Sequence, residues 1–322
     1  MVELLRIPEG RGYPADYLRG RLRGRRAYFV SDWEGVLAAA DPLAAVPASP
    51  WREPLPDRSE GGMWGGALRE FVWVYGQMEP GVRRTFAPLF AWFELRTLLL
   101  VFRNLAAQDV SRAGALLGES LLDGRVTRRL SAVRDLAEGV EALVSLLVLK
   151  KAKFGLLRQT FAEEGLPGFE RELATLWLED LAARRLDHPL AELLRRLMDL
   201  RNMVILAKVL RWHPKAPPSF VRGGTIPFRC LGELAGRGEP EELLRLLERL
   251  SGREVARRAL LNPEPPLLEA ITREVRRWGR EPGGTGPILD YLWRCHLEAR
   301  NLGLLVHGGE LDRETIKREM VR

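Results

Sequence analysis

Three stretches of the sequence carry the same ionisable side chains at the same spacing. Each begins with an acid, has an arginine two residues later followed by threonine or asparagine, and has a basic or imidazole side chain nine residues after the acid. Carboxylate and guanidinium groups form charge-assisted hydrogen bonds, so these residues can hold helices together or hold a charged partner. The acids are Glu94, Asp199 and Glu298, the arginines are Arg96, Arg201 and Arg300, and the residues at the ninth position are Arg103, Lys208 and His307.

Helical spacing places these side chains on two edges of each helix. At 100° per residue, the arginine and the side chain at the ninth position lie within about 20° of each other and form one basic edge. The acid and the threonine or asparagine lie about 60° apart on roughly the opposite side. We therefore expect the acids to make ion pairs or helix caps that fix the packing. The alternative is that each acid and its arginine satisfy each other inside a helical bundle, because buried charges need partners.

No catalytic signature accompanies these motifs. The sequence has no Gly-Lys dipeptide, which excludes a Walker phosphate loop, and it has no HExxH motif for zinc. Four histidines are scattered along the chain, and Ser120 lacks the following glycine of a nucleophile elbow. The sequence therefore predicts a protein that is not an enzyme and that binds no nucleotide, cofactor or metal directly.

Periodicity predicts that helices alone position these residues. Leucine and arginine recur at 3.6-residue spacing, whereas no run alternates with period two between hairpin dipeptides, so the predicted fold class is all-α. The predicted helices cover residues 15–30, 68–74, 82–105, 125–160, 169–185, 189–211, 240–261, 267–278 and 287–306. Breaks rich in proline and glycine separate several of them, at residues 47–66, 213–224, 262–266 and 279–287.

The recurrence of the motif predicts an internal repeat. The acids are 105 and 99 residues apart, which indicates that a unit of about 100 residues was triplicated. We expect three similar helical lobes, over residues 1–110, 111–216 and 217–322, related by pseudo-three-fold symmetry. Such an arrangement leaves a central depression. We expect the basic edges to face it and to bind the acidic or polar helix ends of a rod-like partner.

Composition excludes several classes of protein. The 322 residues are 46% hydrophobic and 29% charged, which is ordinary for a folded protein and excludes disorder over most of the chain. The two cysteines, Cys230 and Cys295, are far apart and predict neither a disulfide framework nor a zinc site, so a reducing compartment fits best. No segment approaches about 18 apolar residues without a charge, and we therefore expect a soluble, cytoplasmic chain.

Nucleic-acid binding is the alternative from a different functional class. The chain has a formal net charge of +7 and an isoelectric point near 9.8. Arginines with nearby aromatic rings can follow a phosphate backbone or stack on bases. The predicted helix over residues 15–30 could equally bind an acidic protein, because its arginines cover much of its circumference. The residues concerned are Arg19, Arg21, Arg23, Arg25 and Arg26, with Tyr17, Tyr28 and Phe29.

The sequence resembles the C subunit of the V-type (archaeal or vacuolar-type) ATP synthase, the counterpart of the d subunit of the eukaryotic vacuolar ATPase. The three motif stretches carry the resemblance, together with Gly223 and Gly224, the arginine-rich residues 17–23 and the C-terminal residues 296–319. Two positions and one segment depart from the pattern of that family. Thr97 stands where asparagine is usual, His307 stands where lysine is common, and the segment of residues 47–66 has no clear counterpart.

The resemblance implies both a shape and a role. It implies a funnel-shaped, non-catalytic adaptor that seats the rotating central stalk on the proteolipid ring in the membrane. The implied partners are the coiled-coil subunits of the stalk and the proteolipid ring, with no nucleic acid and no directly bound nucleotide. It also implies a cytoplasmic protein, peripheral to the membrane, in a complex that moves protons or sodium ions.

Overall fold

The fold consists of helices. The computed structural model describes residues 1–52, 59–212, 218–308 and 312–321. Within those residues the regular elements are helical, and strand-like pairing is limited to two isolated bridges, Leu5 with Leu122 and Tyr13 with Met78. The predicted all-α class is confirmed. Parts of the first two predicted breaks, at 53–58 and 213–217, lie outside the described residues.

The α-helices are numbered in chain order. They are α1 (Ala15–Arg25), α2 (Trp33–Ala38), α3 (Glu60–Gln77), α4 (Pro80–Ala106), α5 (Val110–Glu119), α6 (Gly124–Ser131), α7 (Leu136–Val148), α8 (Leu156–Ala182), α9 (His188–Trp212), α10 (Phe228–Arg237), α11 (Pro240–Ser251), α12 (Glu264–Gly279), α13 (Gly286–His307) and α14 (Arg313–Glu319). The three motif stretches lie on α4, α9 and α13. Each motif therefore sits on one of the long helices.

The single helix predicted over residues 125–160 is wrong, because the chain there forms several elements. The helix α6 ends at Ser131 and α7 begins at Leu136, where the Asp135 side chain accepts a hydrogen bond from the Glu138 N–H at 2.8 Å. A capping aspartate of this kind starts a new helix. After α7 a 3-10 turn, Ala152–Gly155, precedes α8. The apolar periodicity continues across these breaks, so periodicity alone did not reveal them.

Four helices, α2, α5, α10 and α14, lie outside the predicted ranges. Glycine destabilises a helix interior by about 1 kcal/mol relative to alanine, and it lowered the helical signal of α5 and α10. In the structure the apolar faces of both helices are buried, through Leu116 and Leu117 on α5 and Leu231 on α10. Tertiary burial outweighs the low propensity. The glycines are Gly114, Gly118, Gly232 and Gly236.

The described chain forms two compact units. Unit 1 comprises Met1–Trp177 and Arg294–Ile316, and unit 2 comprises Leu178–Trp293 and Lys317–Arg322. The three-lobe division over residues 1–110, 111–216 and 217–322 stays a prediction.

Unit 1 is built around α4. Phe93 on this helix stacks on Phe71 of α3 with ring centroids 4.0 Å apart, and Trp177 donates its indole N–H to the Ala91 carbonyl at 2.9 Å. Among the described residues, α4 is the helix long and apolar enough to cross a membrane. Of its apolar 18-residue stretch, 78% is buried inside the protein. Such burial is typical of a core helix.

Unit 2 has its core between α9, α10 and α11. Leu206, Leu231 and Leu247, one from each helix, are fully buried in the same hydrophobic cluster. The cluster continues to Ala259 in the 3-10 turn that precedes α12. This packing fixes α9, which carries the second motif.

Candidate functional site

The three motif acids are buried. The exposed fractions are 0% for Glu94 on α4, 3% for Asp199 on α9 and 5% for Glu298 on α13. A carboxylate in the interior of a protein requires hydrogen-bond donors, because its loss of water is otherwise strongly unfavourable. The donors to the three acids therefore explain why the motif recurs.

Glu94 binds the segment between α5 and α6. Its Oε1 atom accepts a hydrogen bond from the backbone N–H of Leu121 at 2.7 Å. Burial raises the pKa of Glu94 to about 7, while the Leu121 N–H and the nearby Thr97 side chain oppose that shift. Thr97 in turn accepts a hydrogen bond from the indole N–H of Trp64 at 3.0 Å. The acid and the threonine of the first motif thus hold two different elements.

Asp199 and Asn202 bind both ends of the segment that precedes α10. Asp199 Oδ2 accepts from the Thr225 N–H at 2.9 Å and from the Thr225 hydroxyl at 2.5 Å, and its Oδ1 accepts from the Ile226 N–H at 3.1 Å. Asn202 donates to the Val221 carbonyl at 2.8 Å and accepts from the Val221 N–H at 2.7 Å. The asparagine of the motif therefore has its own backbone partner.

The Gly-Gly pair in this segment has a steric cause. A Cβ atom on Gly224 would lie 2.2 Å from Asp199 Oδ1, far inside the contact distance. Gly223 has a φ of +105°, which other residues rarely adopt, and a Cβ there would lie 2.7 Å from that of Ala182. The two glycines let the backbone approach the carboxylate of Asp199.

Glu298 binds residues from the start of the chain. Its Oε2 accepts from the Val30 N–H at 2.9 Å, and its Oε1 accepts from the guanidinium of Arg52 at 2.8 Å. Arg52 is 3% exposed, so the ion pair is buried on both sides. Burial raises the pKa of Glu298, and the Arg52 charge and the Val30 N–H oppose the shift.

The three acids bind their segments at the same point of local structure. In each case a backbone donor lies two residues before the N-cap of a short helix, α2, α6 or α10. The donors and caps are Val30 and Asp32, Leu121 and Asp123, and Thr225 and Pro227. The motifs therefore share a tertiary contact as well as a sequence pattern. Sequence reasoning missed these donors, although the turn chemistry of the capping aspartates marks two of them.

The motif arginines are half-buried. The Arg96 guanidinium lies 4.7 Å from the ring centroid of Trp64, within the range of a cation–π contact. His296 packs against Trp92 with ring centroids 4.8 Å apart. Burial lowers the pKa of His296 far below its ordinary value, and the charges of Arg96 and Arg300 lower it further. The first and third motif arginines thus act on the same neutral imidazole.

The side chains at the ninth position lie at the surface where the structure describes them. Arg103 is 53% exposed and pairs with Glu170 at 2.7 Å, and Lys208 is exposed. His307 ends α13, and its side chain lies outside the described part of the structure. A shared depression faced by the basic edges stays a prediction.

The arginine-rich helix α1 contacts α3. Arg25 donates to Glu70 at 2.8 Å and lies 4.0 Å from the ring centroid of Trp73. Arg21 donates to Gln77 and lies 4.9 Å from the same ring. These contacts give two of the arginines a structural role, so fewer cations of α1 face outward than the sequence suggests.

Unit 2 also contains a small cavity. Its volume is about 160 Å³, and Asp199, Thr225, Arg196 and Arg249 contribute to its wall. Across the described ranges, no group of three or more His, Cys, Asp and Glu side chains is arranged to hold a metal ion. The chemistry that the motif residues perform is the holding of backbone segments.

We predict that Asp199→Ala lowers the free energy of unfolding by about 2 to 5 kcal/mol, because it leaves buried backbone donors without an acceptor. Asp199→Asn should lose less, since an amide oxygen still accepts. Urea unfolding followed by circular dichroism measures both. The matched control is Glu281→Ala on the surface of unit 2, for which we expect a change within about 0.5 kcal/mol. An unchanged midpoint for Asp199→Ala would contradict the assigned contacts.

We predict that Glu94 makes stability depend on pH. Its folded pKa of about 7 exceeds the ordinary 4.5, so the native state binds the extra proton between these values and the free energy of unfolding falls as the pH rises through that window. Glu94→Gln keeps an acceptor for Leu121 and should remove this part of the slope. Unfolding of both proteins from pH 4.5 to 8 provides the comparison. Parallel profiles would show that Glu94 does not titrate there.

Comparison with known proteins assigns the family. A search of the curated proteins found no match. The sequence from residue 68 to residue 319 matches the ATP synthase (C/AC39) subunit family. The matched region holds all three motif acids, while Val30 and Arg52, which bind Glu298, precede it. Since the match covers most of the 322 residues, the resemblance drawn from the motifs is confirmed, and the chain belongs to the ATP synthase (C/AC39) subunit family.

Proposed function

We propose that this protein is a non-catalytic central-stalk adaptor of a rotary V/A-type ATPase or ATP synthase. It joins the rotating stalk to the membrane proteolipid ring while protons or sodium ions are transported. Its place is cytoplasmic and peripheral to the membrane, through the rotary complex. The observation that supports this role most directly is the same buried-acid contact on three long helices, in a chain of the C/AC39 family.

Each of the three contacts connects two of the predicted lobes. With boundaries at residues 110 and 216, Glu94 of the first lobe binds Leu121 of the second, and Asp199 of the second binds Thr225 of the third. Glu298 of the third lobe binds Val30 of the first. Every contact crosses a lobe boundary in cyclic order.

The basic edges are the proposed contact with the stalk. The half-buried Arg96, Arg201 and Arg300 are held in place by the protein, and Arg103 and Lys208 are exposed beside two of them along the helix. Together with His307 they would offer positive groups around the central depression to acidic or polar ends of the coiled-coil subunits. Such contacts are screened within about 10 Å at 0.1 M salt, so stalk binding should weaken as salt increases.

The adaptor role predicts which proteins accompany the chain. Affinity capture of the intact complex with the tagged full-length protein should recover the coiled-coil stalk subunits and the proteolipid ring, and nuclease treatment should leave the recovery unchanged. A complex reconstituted without the chain should turn over ATP without moving ions. Recovery of nucleic acid in place of stalk and ring would support the nucleic-acid alternative and overturn the adaptor.

We predict that the basic edges contribute to stalk binding. Arg96→Ala/Arg201→Ala/Arg300→Ala and Arg103→Gln/Lys208→Gln should each bind isolated stalk subunits more weakly than the parent, with helicity confirmed by circular dichroism. The double variant changes exposed side chains and so avoids a loss of packing. Its matched control is Arg84→Gln/Arg245→Gln, which removes two exposed cations elsewhere. Parent affinity in both edge variants would reject the basic edges and leave the adaptor role standing.

A further inference from the structure

The turn between α7 and α8 exposes two leucines. Leu149 is 79% exposed and Leu156 is 48% exposed, whereas Phe154 between them is fully buried. Phe154 anchors the turn in unit 1 and fixes its conformation. Two large aliphatic side chains are therefore exposed to water in this turn. Exposure of apolar surface is unfavourable unless a lipid or protein surface covers it.

Lysines surround these leucines. Six of the 50 basic Lys and Arg residues in the chain are lysines, and three of the six, Lys150, Lys151 and Lys153, lie in this turn, all exposed. No acid occurs from residue 142 to residue 162, and the preceding Glu141 already pairs with Arg158 at 2.7 Å. The corner, defined as residues 149–156 and named here the lysine turn, is therefore apolar and cationic.

The type of cation distinguishes the possible partners. Lysine is depleted in protein–protein interfaces, where arginine is enriched, because a flexible ammonium makes fewer fixed hydrogen bonds than a planar guanidinium. An ammonium group suits diffuse attraction to many phosphates, and its long aliphatic stem lies along apolar surface while the charge stays at the headgroups. The composition of the lysine turn therefore favours a lipid surface over a protein surface.

A 3-10 turn of unit 2 is also followed by an exposed leucine, although its basic residues are arginines. The 3-10 turn Ala152–Gly155 precedes α8, which precedes the motif helix α9, and the 3-10 turn Arg257–Leu260 precedes α12, which precedes the motif helix α13. Leu261 after the second turn is 66% exposed, beside the exposed Arg258. An exposed leucine beside basic residues thus recurs at the same point of the chain pattern.

We propose that the lysine turn binds the surface of an anionic phospholipid bilayer. Leu149 and Leu156 enter the boundary between headgroups and acyl chains, and Lys150 and Lys151 contact the lipid phosphates, while Lys153 donates to the Leu176 carbonyl at 3.4 Å. The contact is weak and salt-sensitive, since it combines two side chains with a few surface charges. It is separate from stalk binding and uses none of the motif residues.

The test uses the full-length chain and vesicles of defined composition. Cosedimentation is measured with phosphatidylcholine vesicles that contain about 30 mol% phosphatidylserine and with pure phosphatidylcholine vesicles. The variants are Lys150→Gln/Lys151→Gln, which removes two charges, and Leu149→Ala/Leu156→Ala, which removes the apolar groups. The matched control Arg84→Gln/Arg125→Gln removes two exposed charges elsewhere in unit 1.

We expect binding to the anionic vesicles only, weakened at least tenfold by the lysine variant and severalfold by the leucine variant, with the control within about twofold of the parent. Equal losses in the lysine variant and the control would show attraction by net charge alone and overturn the proposal, as would absence of binding or equal binding to neutral vesicles. If the lysine variant loses capture by the detergent-purified proteolipid ring but keeps vesicle binding, the turn contacts protein and the proposal fails.

Discussion

A buried carboxylate on a long helix, hydrogen-bonded to a backbone N–H in the segment before a short helix, is the interaction on which the described structure depends. The carboxylate and the backbone N–H each satisfy the hydrogen-bonding requirement of the other. The carboxylate is out of water and needs donors, and Val30, Leu121 and Thr225 lie outside helices, so their N–H groups donate to no helical carbonyl. Loss of either partner leaves a buried polar group unsatisfied. The packing of the long helix against the segment therefore depends on both partners. The Gly223–Gly224 approach to Asp199 shows how closely the backbone must come.

Several arginines make fixed contacts inside this protein. Arg52 pairs with Glu298 inside unit 1, Arg25 pairs with the buried Glu70, and Arg83 donates to backbone carbonyls, among them that of Pro8 at 3.2 Å. The planar guanidinium suits these fixed, multiple hydrogen bonds. These three arginines therefore hold the structure together. The high isoelectric point says little about binding until the cations that remain at the surface are located.

The part of the chain outside the family match still completes the contact of a matched residue. Glu298 lies within residues 68–319, and its partners Val30 and Arg52 lie before them. A backbone N–H is supplied by every residue except proline, so the donor positions are free to differ in side chain, as Val30, Leu121 and Thr225 do. This freedom allows the contact to recur without a recurring sequence at the donor.

The sequence by itself determined the all-α class, the long helices that carry the motifs and the family. Residue types alone are enough to reveal apolar periodicity and the spacing of ionisable side chains. It did not reveal the breaks after Ser131 and Val148, since the periodicity continues across them, or the glycine-containing helices α5 and α10. The donor segments were also hidden, because a backbone N–H has no side-chain signature. Only the tertiary structure brought Arg52 to Glu298, which is 246 residues away, because such a contact depends on how the helices between them pack.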